Sequence, residues 1–187
     1  MVEFIQRVLE GHQPPEHTER RREGLGEGTT SGGGRGPILR VYKKDPRAKV
    51  PVRSPDSAIG LDVFAFLLTE SGRASSRAIH IKGVTAVPTG LVVQSPSGYY
   101  LQICSRSGLA ARGLFVANAP GIIDPDYTGE RVILLFNGSY ETQYVAHEHR
   151  IAQLILQPII RTDVIELPNP PIIHAGRGEA GFGSTGL

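Results

Sequence analysis

From Ile38 onward the chain carries only short apolar runs, rich in β-branched residues and each followed by a turn signal. They are ILRVY at 38–42, AIHI at 78–81, GLVVQ at 90–94, YYLQIC at 99–104, VILLF at 132–136 and IAQLILQPII at 151–160. Pro55-Asp56, Pro88-Thr89-Gly90, Pro96-Ser97-Gly98 and Asn137-Gly138 lie among them. Nothing in this stretch holds a 3.6-residue apolar period over three turns, so helices cannot supply the core. The pattern predicts an all-β domain, a compact jelly roll or distorted barrel. Pro158 lacks an N–H and would interrupt a ladder, so the last run is expected to bend or change partners there.

This β domain is expected over residues 37–168, between two segments of different character. At residues 2–10, VEFIQRVLE sets Phe4, Ile5, Val8 and Leu9 on one side of a short helix that would be marginal alone. Gly11 to Gly36 is polar, with Gln13-Pro14-Pro15, Arg20-Arg21-Arg22 and a glycine triplet at 32–34. It cannot build a core, and residues 1–36 read as a flexible leader. Glu19 and Glu23 flank the arginine triplet, which favours a solvated segment over a nuclear-targeting signal. The leader is also the natural place for an added protein-interaction role.

After Pro168, Pro170 and Pro171 comes GRGEAGFGSTGL at 176–187, with five glycines in twelve residues. That is too glycine-rich for a central strand. Residues 169–187 read either as a frayed tail or as an arm that orders when Arg177, Phe182, Gly183, Ser184 and Thr185 close over an anion and an aromatic surface.

Charge and composition narrow the classes. A formal net charge of +2 over 187 residues is too small for a polyanion-binding surface, and the arginines are not interleaved with aromatics. No specific nucleic-acid binding is expected. One cysteine, Cys104, excludes an intramolecular disulfide framework and fits a reducing compartment. No apolar run approaches the roughly 20 residues needed to span a bilayer. The expected location is therefore cytoplasmic or nuclear, without a membrane partner.

Three constellations carry chemistry. In Ser105-Arg106-Ser107-Gly108, Arg106 offers several charge-assisted bonds, Ser107 a hydroxyl, and Gly108 close access to backbone N–H groups; the competing reading is a polar turn after a strand. In GIIDPDYTGE at 121–130, a hairpin would present Asp124, Asp126 and Tyr127 at its rim. Asp124 there suits a general base, unless both aspartates simply bond their own turn. Asp62, in the apolar IGLDV at 59–63, asks for either an arginine or a hydrated cation. His147 and His149 alternate without a third ligand nearby, so they make no zinc site.

In order along the chain, these segments resemble the five motifs of the trimeric dUTP pyrophosphatase family. They are IGLDV (59–63), CSRSGLAARG (104–113), GIIDPDYTGE (121–130), RIAQLIL (150–156) and GRGEAGFGSTG (176–186). The resemblance covers residues 38–187, leaves the leader unexplained and is compatible with a viral member. It implies a jelly-roll subunit in a homotrimer, with sites at subunit interfaces and the C-terminal arm donated by a neighbour. It also implies Mg2+-dependent hydrolysis of dUTP to dUMP and pyrophosphate. On this basis Asp124 would activate the water, and Asp62 would contribute to the magnesium site through water. Tyr127 would pack on the deoxyribose and exclude a 2′-hydroxyl. Ser107 and Gly108 would hold phosphates, supported by Arg106 and Gln153. Asn118 would lie near uracil, Arg177 would reach over the phosphates and Phe182 would stack on the base.

The chain departs from the family pattern at four positions. Cys104-Ser105 stands where Ala-Pro is common, Gln102 where an arginine is frequent, and Ala180 where a glycine is frequent. Ser105 is expected to leave the phosphate loop less preorganised, and Ala180 would resist lid closure if its position needs a positive φ. Two alternatives remain at this point: dCTP deamination on the same fold, and a catalytically weakened interaction protein.

Overall fold

The computed structural model describes residues 36–80 and 82–169. The helix expected at residues 2–10, most of the leader, and Arg177, Phe182, Gly183, Ser184 and Thr185 of the tail lie outside these residues. The described part is all-β, as the short apolar runs predict. Its strands are β1 (Arg40–Lys43), β2 (Leu61–Phe64), β3 (Ser76–Ile79), β4 (Val84–Pro88), β5 (Leu91–Gln94), β6 (Tyr99–Cys104), β7 (Leu114–Val116), β8 (Gly121–Ile123), β9 (Val132–Asn137), β10 (Gln143–Ala146) and β11 (Arg150–Pro158). One helical turn, α1 (Ser107–Ala110), interrupts them.

The strands form a four-stranded sheet ordered β2-β11-β6-β8, a three-stranded sheet β4-β9-β7, and the pairs β1-β5 and β10-β3. Every pairing within these sheets is antiparallel. Side-chain alternation packs the sheets together. Along β9, Ile133, Leu135 and Asn137 are buried while Val132, Leu134 and Phe136 are half-buried. Ile79, Leu91, Leu101, Ile133, Leu135, Ile151 and Leu154 are fully buried in one core, each worth about 1.5–3 kcal/mol of transfer free energy. Along β11 both Ile151 and Ala152 turn inward, at the point where the register with β2 shifts. A bulge of this kind breaks strict alternation and admits two successive residues to the core.

Pro158 neither kinks β11 nor moves it to a new partner; it ends the strand, opposite Tyr99. Pairing with β2 stops at Leu154, so among the described residues β11 has β6 alone as its neighbour from Ile155 onward. A missing N–H costs little where it faces an open side.

The hairpin expected at 121–130 does not form. β8 pairs with β6, whereas β9 pairs with β4 and β7, so residues 124–131 cross between two sheets. The turn residues predicted a reversal correctly, but the two flanking strands find other partners.

Candidate active site

The strand order sets Asp62 (β2), Gln153 (β11) and Cys104 (β6) side by side, since Gln153 is in register with both of the others. Arg106 follows two residues beyond β6 and turns back, its Nε donating to Asp62 Oδ1 at 2.9 Å. Arg150, at the head of β11, donates from Nη1 to Asp62 Oδ2 at 3.2 Å. Asp62 is 3% exposed, so its charge is viable because two guanidinium groups replace the water it has lost. Arg106 Nη1 also donates to the Arg150 carbonyl at 3.2 Å, closing a triangle. Gly60 allows close approach: a Cβ there would lie 3.0 Å from Gln153 Oε1, and the Gln153 side chain would have to shift.

With Arg106 anchored, α1 begins directly after it. The Arg106 carbonyl accepts from the Leu109 and Ala110 N–H groups at 3.1 and 2.9 Å, and Leu109 is buried as the anchor of the turn. Ser107 and Gly108 are exposed, and a Cβ on Gly108 would meet nothing. Among the described residues neither of their N–H groups has an acceptor, leaving both available to an anion. Ser105 does not simply loosen this loop as expected. Its Oγ accepts from the Val116 N–H at 2.9 Å, pinning the loop to β7, whereas a proline would only fix its own φ.

The second group of residues lies on the crossing from β8 to β9. Tyr127 N–H donates to the Asp124 carbonyl at 3.2 Å, forming the turn. Among the described residues neither Asp124 nor Asp126 takes a hydrogen bond on its carboxylate from this turn, and both are exposed. The Asx-turn reading therefore fails for both, leaving Asp124 free to accept from a water.

Tyr127, 52% exposed, is held over its own turn. The Arg131 Cζ stands 4.6 Å from the ring centroid, a cation–π contact worth about 0.5–2 kcal/mol. Arg131 Nη2 donates to the carbonyls of Tyr127, at 3.0 Å, and of Val93, while Nη1 donates to the Gly129 carbonyl at 2.8 Å. Burial lowers the Arg131 pKa, although a guanidinium stays charged throughout the working range. Glu130 steadies the same segment, accepting from Gly90 N–H at 2.8 Å and from Lys44 Nζ at 2.9 Å. Sequence reasoning missed Arg131. The available signal was a cation opening an apolar run, immediately before VILLF.

Asn118 is exposed in the turn between β7 and β8, with its Nδ2 close against Gly121, where a Cβ would lie 3.0 Å away.

One chain does not bring the two groups together. Ile123 is paired with Leu101 and Gly121 with Ile103, so Asp124 leaves β8 toward the Tyr99 end of β6. Ser107 follows the Cys104 end. Leu101 to Cys104 alone measures about 10 Å at ~3.3 Å per residue, well beyond hydrogen-bond reach. A cavity of about 580 Å³ is bordered by Lys49, Phe64, Arg106, Arg112, His149 and Arg150, but by none of Asn118, Asp124 and Tyr127.

Among the described residues no three His, Cys, Asp or Glu side chains gather as a metal cage. The donor set fits magnesium only at second hand. Both Asp62 oxygens already accept from arginines, and each keeps a lone pair that can receive the water of a hydrated cation.

The fold has solved counterparts. The domain is similar to a dUTPase of Staphylococcus bacteriophage 80alpha solved with dUpNHpp, with a TM-score of 0.63, 23% identity, and coverage of 80% of this chain and 99% of that one. It is also similar to the dUTPase of phage phi11 of S. aureus, with a TM-score of 0.60 and 20% identity over 71% of this chain and 97% of that one. These likenesses define the class, a dUTPase-like β fold. A family model described as dUTPase matches residues 47–186, and the chain belongs to the dUTPase family. Relatives named deoxyuridine 5′-triphosphate nucleotidohydrolase are found in a bacterium, a yeast and a virus. That of Anaplasma marginale is 42% identical over 71% of this chain and 85% of its own length. That of Candida albicans is 35% identical over 79% and 87%, and that of Fowl adenovirus A is 38% identical over 81% and 79%.

Proposed function

We propose that this chain hydrolyses dUTP to dUMP and pyrophosphate, as a homotrimer that uses Mg2+. The observation that carries the reading is the extent of the family match, which runs from residue 47 to residue 186 and takes in every segment to which a role is given below. The split geometry supports the assembly: Asp124 and Ser107 sit at opposite ends of β6 in one chain, so a complete site draws them from different copies.

In this reading Ser107 and the N–H groups at Gly108 hold the phosphates, and Arg106 and Gln153 support that site. Asn118 faces uracil, and Tyr127 packs on the deoxyribose where a 2′-hydroxyl would sit. Asp124 accepts a proton from a water as the water oxygen bonds to the α-phosphorus. The bond from that phosphorus to the bridging oxygen breaks, and pyrophosphate leaves with the electron pair. Magnesium, when bound, would supply charge neutralisation on the phosphates, and Asp62 would help hold it through water. The tail closes from a neighbouring chain: Arg177 shares the developing negative charge, Phe182 stacks on the base, and Gly183, Ser184 and Thr185 line the lid. Closure excludes bulk water and strengthens each of these contacts.

No described helix is long and apolar enough to cross a membrane, and we place the enzyme in the cytoplasm or nucleus. We assign to the leader, residues 1–36, which lies outside the family match, the binding of a protein partner. The testing experiment incubates the full chain and magnesium with dUTP, UTP, dTTP and dCTP, and measures pyrophosphate, monophosphates and ammonia. dUMP and pyrophosphate from dUTP alone are expected. Ammonia from dCTP, with no pyrophosphate from dUTP, would establish the deaminase reading instead.

A further inference from the structure

Arg131 is a buried charge that the proposed reaction does not use. It is 3% exposed, and no carboxylate among the described residues pairs with it. Its Nε has no partner there either. A guanidinium in such a place is costly unless its surroundings replace water. Here three carbonyls do so, those of Val93, Tyr127 and Gly129. Val93 belongs to β5 and is itself buried, so the guanidinium ties an exposed turn to a core strand.

The carbonyl bonds alone would describe a staple for the chain. Two further features concern the Tyr127 ring. The guanidinium carbon stands 4.6 Å from the ring centroid, so the same cation grips both the main chain and the side chain of Tyr127. At the hydroxyl end of the ring, Gly129 leaves the space the ring fills, because a Cβ there would overlap the Tyr127 hydroxyl and ring edge. An exposed loop tyrosine otherwise chooses among several rotamers. Packed against Arg131 and Gly129, this one is confined.

We propose that Arg131 is a positioning residue for sugar selection. It fixes the plane of the Tyr127 ring, so that rejection of a 2′-hydroxyl depends on a buried arginine that does not itself touch the nucleotide. The inference rests on Tyr127 being the residue that packs on the deoxyribose. It places the determinant of selectivity one layer beneath the surface that meets the substrate.

The test is a double-mutant cycle on the full chain, reading the ratio of kcat/KM for dUTP to that for UTP, with thermal unfolding recorded alongside. Arg131→Met is expected to lower that ratio by about 10-fold or more, the scale on which lost positioning is felt, chiefly through a smaller KM for UTP. Arg131→Lys, which keeps a cation near the ring, should recover part of it. In a Tyr127→Ala background Arg131→Met should change the ratio no further. A general loss of stability would lower both substrates' turnover together and leave the ratio alone.

If Arg131→Met does not fold, Arg131→Lys carries the same cycle, and Gly129→Ala displaces the ring while leaving the guanidinium in place. A folded Arg131 variant with unchanged selectivity, beside a Tyr127→Ala that has lost it, overturns the positioning role alone. So does an Arg131 effect that adds fully to that of Tyr127→Ala. Unchanged selectivity in Tyr127→Ala itself removes the sugar reading of Tyr127, and the inference with it.

Discussion

The Nε of Arg106 donates to Oδ1 of Asp62 at 2.9 Å, linking two residues forty-four positions apart through a carboxylate that is almost wholly buried. The arginine that introduces the Ser107-Gly108 turn is thus oriented by the acidic residue of a neighbouring segment. Asp62 is first a holder of arginines, and any contact it makes with a hydrated cation is additional.

Replacement by asparagine tests this priority. Asp62→Asn keeps the shape but presents an amide N–H to one of two guanidinium groups. Because Arg106 and Arg150 are partly solvated, the expected cost is about 1–3 kcal/mol, less than for a fully buried pair. Denaturant unfolding should show the same loss with a chelator present as with magnesium. A loss seen only with magnesium would make the metal role primary.

Asp124→Asn should leave the trimer and nucleotide binding in place, since its exposed carboxylate takes no bond from the described structure. Turnover should fall by at least about 100-fold, the scale of a positioned general base. Single-turnover kinetics together with a binding titration checks both halves of the statement.

Separation of Asp124 from Ser107 along β6 permits a complementation test. Asp124→Asn and Ser107→Ala are each expected to be nearly inactive alone. Co-refolded in equal amounts, they should recover about a quarter of wild-type activity: three-quarters of random trimers are mixed, and each has one intact site in three. No recovery, with mixed trimers shown by mass spectrometry, would place both residues in one chain's own site.

Ending the chain before Gly176 should abolish efficient turnover while leaving a trimer by sedimentation. Dissociation on truncation would make the tail chiefly a structural clamp.

The all-β class was legible because short runs such as YYLQIC and VILLF leave no other way to bury their side chains. Strands of three or four residues were harder to read. Leu114–Val116 and Gly121–Ile123 bury only alternate residues and depend on partners distant in sequence. The turn at Asp124 could be read from its residue types, but which strands flank it is decided by tertiary pairing. The site residues were found through order along the chain, and their division into two groups became visible only through register. Arg131 stayed hidden because arginine ordinarily marks surface; its place just before VILLF hints at burial but does not announce the three carbonyls converging on it.

If Asp124 and Ser107 meet only across copies, as proposed, their division also makes the enzyme answer to its own abundance. A chain on its own would be chemically silent, and near the dissociation threshold activity would rise more steeply than protein concentration. Assembly thereby becomes a built-in licence for catalysis, and a molecule that only kept subunits apart could silence the enzyme without approaching its nucleotide pocket.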